Sequence, residues 1–227
     1  MIRQHPLVAA VIALALGWTG AAGAHGDDMS RVMGSISVGA GEHAGDLSTV
    51  NGSIHVGANA AVGSAHTVNG SIALDQHATA ASLTTVNGSV RLADAARVTG
   101  SAHTVNGSMS LADGADIAAR LSNVNGAIRL AAAHVGGDIE TVTGDVGIGA
   151  NARVDGGIHV HRESGSSEYR SRGLQRIEIG PGAVVKGTLR FDRPVKLYVS
   201  DRATIGQVEG ATPIRFPGDH PPGDQPQ

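Results

Sequence analysis

Cysteine is absent from this chain of 227 residues. No disulfide can staple the fold, no thiolate can act as a nucleophile or metal ligand, and no N-terminal cysteine can carry a lipid. Aromatic residues amount to 2%. That rules out an aromatic-rich core and removes the usual stacking platforms for sugars. It also disfavours an outer-membrane barrel, which needs aromatic girdles and strands of about ten residues. The formal net charge is only −3, and Lys and Arg form no stripe, so nucleic acid is not an expected partner. Long apolar runs are missing everywhere except Leu7 to Trp18.

That one run reads as a targeting segment. Arg3 precedes it and Ala22-Gly23-Ala24 follows it, the order of a signal peptide with cleavage before His25. Residues 1–24 are therefore expected to be removed, leaving no membrane span. The expected location is outside the cytoplasm, in the periplasm, on the cell surface or secreted.

What the chain does have is Val, Ile, Leu, Ala and 33 Gly, set in a repeat. Val50-Asn51-Gly52-Ser53-Ile54 returns at Val68, Val86, Val105 and Val124, with degenerate copies at Val32 and Val142. The successive spacings are 18, 18, 18, 19, 19 and 18. So short a unit cannot bury its own apolar face and must stack on its neighbours. Each period splits into three sixes, as in Val50, Val56, Val62 and Val68. Three short strands per rung predict an all-β, single-stranded triangular β-helix, a β-solenoid with rungs of about 18 residues. Roughly nine rungs at about 4.8 Å make a rod on the order of 43 Å long. Val50, Ile54 and Val56 and their repeats are expected to point inward. So is the column Leu47, Ala65, Leu83, Ala102, Leu121, Ile139 and Ile158.

The Asn-Gly pairs are expected at a corner, because both residue types tolerate positive φ. Asn51, Asn69, Asn87, Asn106 and Asn125, with Gly52, Gly70, Gly88, Gly107 and Gly126, would stack into a ladder of side-chain amides. Asn59 lies outside that ladder. Four of the corners also read as Asn-Gly-Ser glycosylation acceptors, but their strict period favours turn chemistry. The expected organisation is a short polar segment at 25–31, solenoid at 32–161, a polar loop at 162–176, further rungs at 177–210 and a disordered Pro-rich tail at 211–227.

Candidate chemistry is sparse. His66 and His103 share a column two rungs apart, too far for one ion with ligands at about 2.1 Å. Glu140, His159 and His161 converge better, since Ile139 aligns with Ile158. Three donors leave a shell open, so no tight metal site is expected from this trio. Gly136-Gly137-Asp138 does not repeat in the calcium-binding solenoid pattern. No carboxylate pair of the kind that cleaves glycosides stands out, so no catalytic residue and no cofactor are assigned.

Ile177-Glu178-Ile179-Gly180-Pro181-Gly182-Ala183-Val184-Val185-Lys186-Gly187-Thr188-Leu189 resembles bactofilins. That resemblance implies a right-handed triangular β-helix, flexible tails and polymer formation. The Val-Asn-Gly-Ser-Ile repeats resemble the bacterial putative-adhesin β-strand-repeat group. Bactofilins act in the cytoplasm, whereas this chain carries a signal peptide, which shifts the implied role to a periplasmic or surface scaffold. Hexapeptide acyltransferases share the 18-residue rung in a left-handed prism, but they use a catalytic His and cytoplasmic acyl-CoA. The expected function is a non-catalytic structural or adhesive scaffold that self-associates through its ends and contacts cell-envelope components. The competing reading is a solenoid enzyme or ligand-binding protein acting on an envelope polysaccharide.

Overall fold

The computed structural model describes residues 26–162 and 174–221. The expected signal peptide and most of the expected loop at 162–176 lie outside the described residues. Within them the chain is all-β, without a helix, and its parallel strands stack as a β-solenoid of about nine turns.

Every turn contributes to three faces. The first face stacks ten strands: Ile36–Val38, Ile54–Val56, Ile72–Leu74, Val90–Leu92, Met109–Leu111, Ile128–Leu130, Val146–Ile148, Gln175–Ile179, Val195–Ser200 and Pro213–Phe216. The second face includes Arg97–Val98, Asp116–Ile117, His134–Val135, Arg153–Val154, Val184–Val185 and Thr204–Ile205. The third runs from Met29–Met33 and Leu47–Asn51 through Ala102–Asn106, Leu121–Asn125, Ile139–Thr141, Ile158–Val160 and Leu189–Phe191 to Val208–Glu209. The second and third faces join into one sheet because Ala61–Asn69 and Thr79–Asn87 run unbroken around the corner between them.

A three-residue strand with in-out-in alternation buries two side chains and exposes one. Ile72 and Leu74, Val90 and Leu92, and Met109 and Leu111 do so rung after rung. The column Leu47, Ala65, Leu83, Ala102, Leu121, Ile139 and Ile158 is fully buried, alternating large and small at first. Each of its large members contributes about 1.5–3 kcal/mol by leaving water.

The corner Val column does not point inward. Val32 is 71% and Val50 40% exposed, and Val68, Val86, Val105 and Val124 are half-buried. Alternation along the strand puts the preceding residue inside instead. Thr49, Thr67, Thr85, Thr104, Asn123 and Thr141 form that buried polar column. The corner satisfies its hydroxyl and amide donors, while Asn123 Oδ1 is buried without a hydrogen-bond partner. Thr49 Oγ1 donates to Gly34 O at 3.0 Å, Thr67 to Gly52 O at 2.8 Å, Thr85 to Gly70 O at 2.9 Å and Thr104 to Gly88 O at 3.0 Å. Asn123 Nδ2 donates to both Gly107 O and Gly126 O.

The corner asparagines stack in register, and each Nδ2 donates to the Oδ1 of the rung before. The distances are 3.0 Å for Asn69 to Asn51, 2.9 Å for Asn87 to Asn69, 3.0 Å for Asn106 to Asn87 and 2.9 Å for Asn125 to Asn106. The physical basis for Asn-Gly differs from the expected one. No ladder Asn has positive φ, and of the five ladder glycines only Gly126 does. Glycine is needed because neighbouring rungs touch there. A Cβ on Gly88 would sit 1.9 Å from Gly70 O, and one on Gly70 would sit 2.0 Å from Gly52 O.

At the Asn-Gly corner positive φ is confined to Gly34, Gly126 and Gly144, and it recurs more regularly at another corner, between the first and second faces. Gly41, Asn59, His77, Ala95, Gly114, Asn151 and Gly182 all adopt it, Asn59 at 60° and Ala95 at 56°. They close tight turns such as Ala60 N to Gly57 O and Ala96 N to Ala93 O, with the left-handed residue third, as in a type II turn. Asn59, outside the amide ladder, is thus itself a constrained position.

Three boundaries shift. The first rung begins at Met29, not Val32, and pairs Met29 with Leu47. Asp28 caps Asp46 N at 2.8 Å, so residues 26–31 belong to the solenoid. The rungs resume at Gln175, inside the expected loop, with Gln175 paired to Val195. The expected disordered tail contains one more strand, Pro213–Phe216, paired with Leu197–Ser200. Phe216 is 1% exposed; burying a ring that large holds the segment against the last rung.

Candidate functional site

Among the described residues, two places carry the functional reading. The first lies on the third face, where parallel register stacks Ser122, Glu140, His159 and Arg190 in one outward column. His161 follows Val160, in the position that earlier rungs give to the corner Val. Its N–H donates to Thr141 O at 2.8 Å, while Asp192 N donates to Val160 O at 2.9 Å. Asp192 therefore stands one rung beyond His161 in the same column.

The three expected residues do meet. His161 Nε2 lies 3.5 Å from Glu140 Oε2, and the His159 and His161 rings are 3.7 Å apart between centroids, tilted by 39°. The sequence reading missed Asp192, whose Oδ2 lies 2.9 Å from His159 Nε2. It also missed two arginines. Arg120 Nε reaches Glu140 Oε1 at 3.1 Å, and Arg190 Nε reaches Asp192 Oδ1 at 3.0 Å. Each carboxylate thus turns one oxygen to an arginine and the other to an imidazole. The His161 contact holds Glu140 below its usual carboxylate range, against the opposing effect of burial and with help from Arg120. Burial alone would raise Asp192, but His159 and Arg190 outweigh it and lower it. A signal for Asp192 was present. Leu189-Arg190-Phe191-Asp192 matches Ile158-His159-Val160-His161 position for position, but the intervening insertion hides it from arithmetic in eighteens.

His66 and His103 lie two rungs apart with Thr84 between them and do not join this cluster. Burial lowers the pKa of both; for His103, the nearby Glu140 charge works the other way. His103 Nδ1 meets Ser122 Oγ at 2.7 Å.

Comparison with family models, with curated proteins and with solved structures finds no match. The geometry of the chain itself carries the functional reading.

The second place is the N-terminal end of the rod. Along Ile36–Val38, Ile36 N donates to Ser53 O and Val38 O accepts from Gly57 N, both at 2.9 Å. Parallel strands alternate the direction of their backbone groups, so Ser35 and Ser37 turn theirs to the open side, where Arg31 Nη1 donates to Ser35 O at 2.9 Å. Ser35 Oγ already accepts from Ser53 N. Beside this edge, Val32 is 71% and Met33 79% exposed. Among the described residues no helix is long and apolar enough to cross a membrane.

Proposed function

We propose that this chain is an exported, non-catalytic scaffold that joins end to end through its N-terminal rung, with a structural or adhesive role in the cell envelope. The observation that carries the reading is the open strand edge at Ile36–Val38, flanked by exposed Val32 and Met33. An open edge offers unpaired backbone groups to a second strand, and adjacent apolar side chains add burial to the pairing. The other end exposes less apolar surface: Pro213 opens the last strand without a donor, Phe216 folds onto the rung before it, and Ile214 is 45% exposed against 71% and 79% for Val32 and Met33. This asymmetry favours dimers joined at one end over long filaments. The bactofilin-like segment and the adhesin-like repeats support a scaffold, and the signal-peptide pattern supports export.

Sedimentation equilibrium of the chain from His25 onward tests the reading. Dimerisation is expected as concentration rises through the micromolar range. Ser37→Pro should weaken it, because it removes a donor on the open side and leaves the bonds of Ile36 and Val38 intact. A strict monomer at high micromolar concentration overturns the proposal.

A further inference from the structure

We infer that Glu140, His159, His161 and Asp192 form a binding site for a zinc-like divalent transition metal that clamps three consecutive rungs. The sequence trio offers three donors and an open shell. Asp192 adds the fourth, and the register brings two imidazoles and two carboxylates together from three neighbouring rungs, of which His159, His161 and Asp192 cluster most closely.

The spacing fits. Ligands about 2.1 Å from a tetrahedral ion lie roughly 3.4 Å from one another. The pairs observed are 2.9 Å for His159 to Asp192 and 3.5 Å for His161 to Glu140. One ligand atom each from His159, His161 and Asp192 lie within 4.8 Å of one another, so these three close around an ion by side-chain rotation; Glu140 lies outside that group and meets it through His161, 3.5 Å away. The arginines support the site rather than fill it. They hold the outer oxygens, Glu140 Oε1 and Asp192 Oδ1, and leave Glu140 Oε2 and Asp192 Oδ2 facing the imidazoles. Outer partners of this kind orient metal-ligating side chains. The side chains of Glu140 and His161 are 12% and 18% exposed, so half of the set is shielded from water while His159 and Asp192 leave a path of entry.

The donor set also selects the ion. Imidazole suits zinc, nickel and copper, whereas calcium and magnesium require oxygen ligands in larger number. The site's two histidines precede the segment 163–173 and Asp192 follows it, so a bound ion would tie the rungs on either side of the inserted segment.

The test uses zinc alone and cobalt alone with the chain from His25 onward. One equivalent of zinc should bind saturably and raise the melting temperature, and cobalt should give the strong visible absorption of a tetrahedral site. Asp192→Asn should weaken zinc at least about tenfold. His159→Ala with His161→Ala should abolish binding while the circular-dichroism spectrum stays unchanged, and His66→Ala should leave affinity as it was. Absence of saturable binding overturns the proposal. So does binding that survives the double substitution, or that is indifferent to Asp192→Asn.

Discussion

Replacing Gly88 by Ala should destabilise the rod far more than replacing Gly147 by Ala. Both are glycines in half-buried positions with no positive φ, so backbone freedom does not separate them. Space does. A Cβ at Gly88 meets Gly70 O at 1.9 Å and Gly70 C at 2.4 Å. Backbone cannot swing aside as a side chain can. The two rungs would have to part by about 1 Å, against packing at interior density. Gly70 N to Asn87 O at 3.1 Å holds them together there, and so do the Thr85 and Asn87 side chains. Overpacking costs about 1–3 kcal/mol, and each strained hydrogen bond adds about 0.5–1.5 kcal/mol. A loss of about 3 kcal/mol is expected, which lowers the melting temperature by roughly 6–12 °C in a chain of this size. At Gly147 the nearest atom to a new Cβ is Ile128 O at 4.0 Å, so Ala fits. It should be neutral or stabilising by about 0.4–1 kcal/mol, because it restricts the unfolded chain. Urea and thermal melts followed by circular dichroism decide the matter. Equal midpoints for the two variants would refute close rung contact as the reason for glycine at the corner.

Thr85→Val keeps the shape but leaves the half-buried Gly70 O short of a donor, and should cost about 1–3 kcal/mol in a urea melt, whereas Thr84→Val on the outer side of the same strand should stay within about 0.5 kcal/mol. Asn87→Leu removes the amide links to both neighbouring rungs and should cost about 1–2 kcal/mol by the same measurement. Ala95→Gly relieves a left-handed alanine and should raise stability by about 1 kcal/mol. For pH, burial depresses His66 and His103 below the ordinary 6.5. Their neutral forms favour the folded state, so their contribution is complete above pH 6.5 and is lost as pH falls through the folded values. Glu140, depressed below 4.5, adds a second loss as pH falls further. Urea midpoints measured from pH 7.5 downward should therefore fall, and His66→Gln with His103→Gln should flatten the first part of that fall.

Much of the fold was legible because stacking converts sequence period directly into register. The column from Leu47 to Ile158, and the pairing of Glu140 with His159, follow from counting residues. Counting failed where residue type was ambiguous. Val and Thr alternate at the corner, and hydrophobicity alone assigns Val to the core. The geometry reverses that, because the buried Thr hydroxyl finds a hydrogen-bond acceptor in the corner carbonyl of the rung before. The left-handed corner carries Gly, Asn, His and Ala in turn, so no composition marks it. Phe216 stands among prolines that suggest disorder, and only its docking on the last rung reveals a strand. Asp192 was hidden because the insertion places it 31 residues, not 18, beyond its partner position at His161.

The absence of cysteine offers a direct measurement of end-to-end assembly. Ser37→Cys places a single thiol on the open side of the first face at the N-terminal end, and Glu209→Cys places one on the last strand of the third face near the other end. Under mild oxidation, Ser37→Cys should yield a disulfide-linked dimer at concentrations where Glu209→Cys remains monomeric. Efficient cross-linking through position 209, or none through position 37, would contradict assembly through the N-terminal rung.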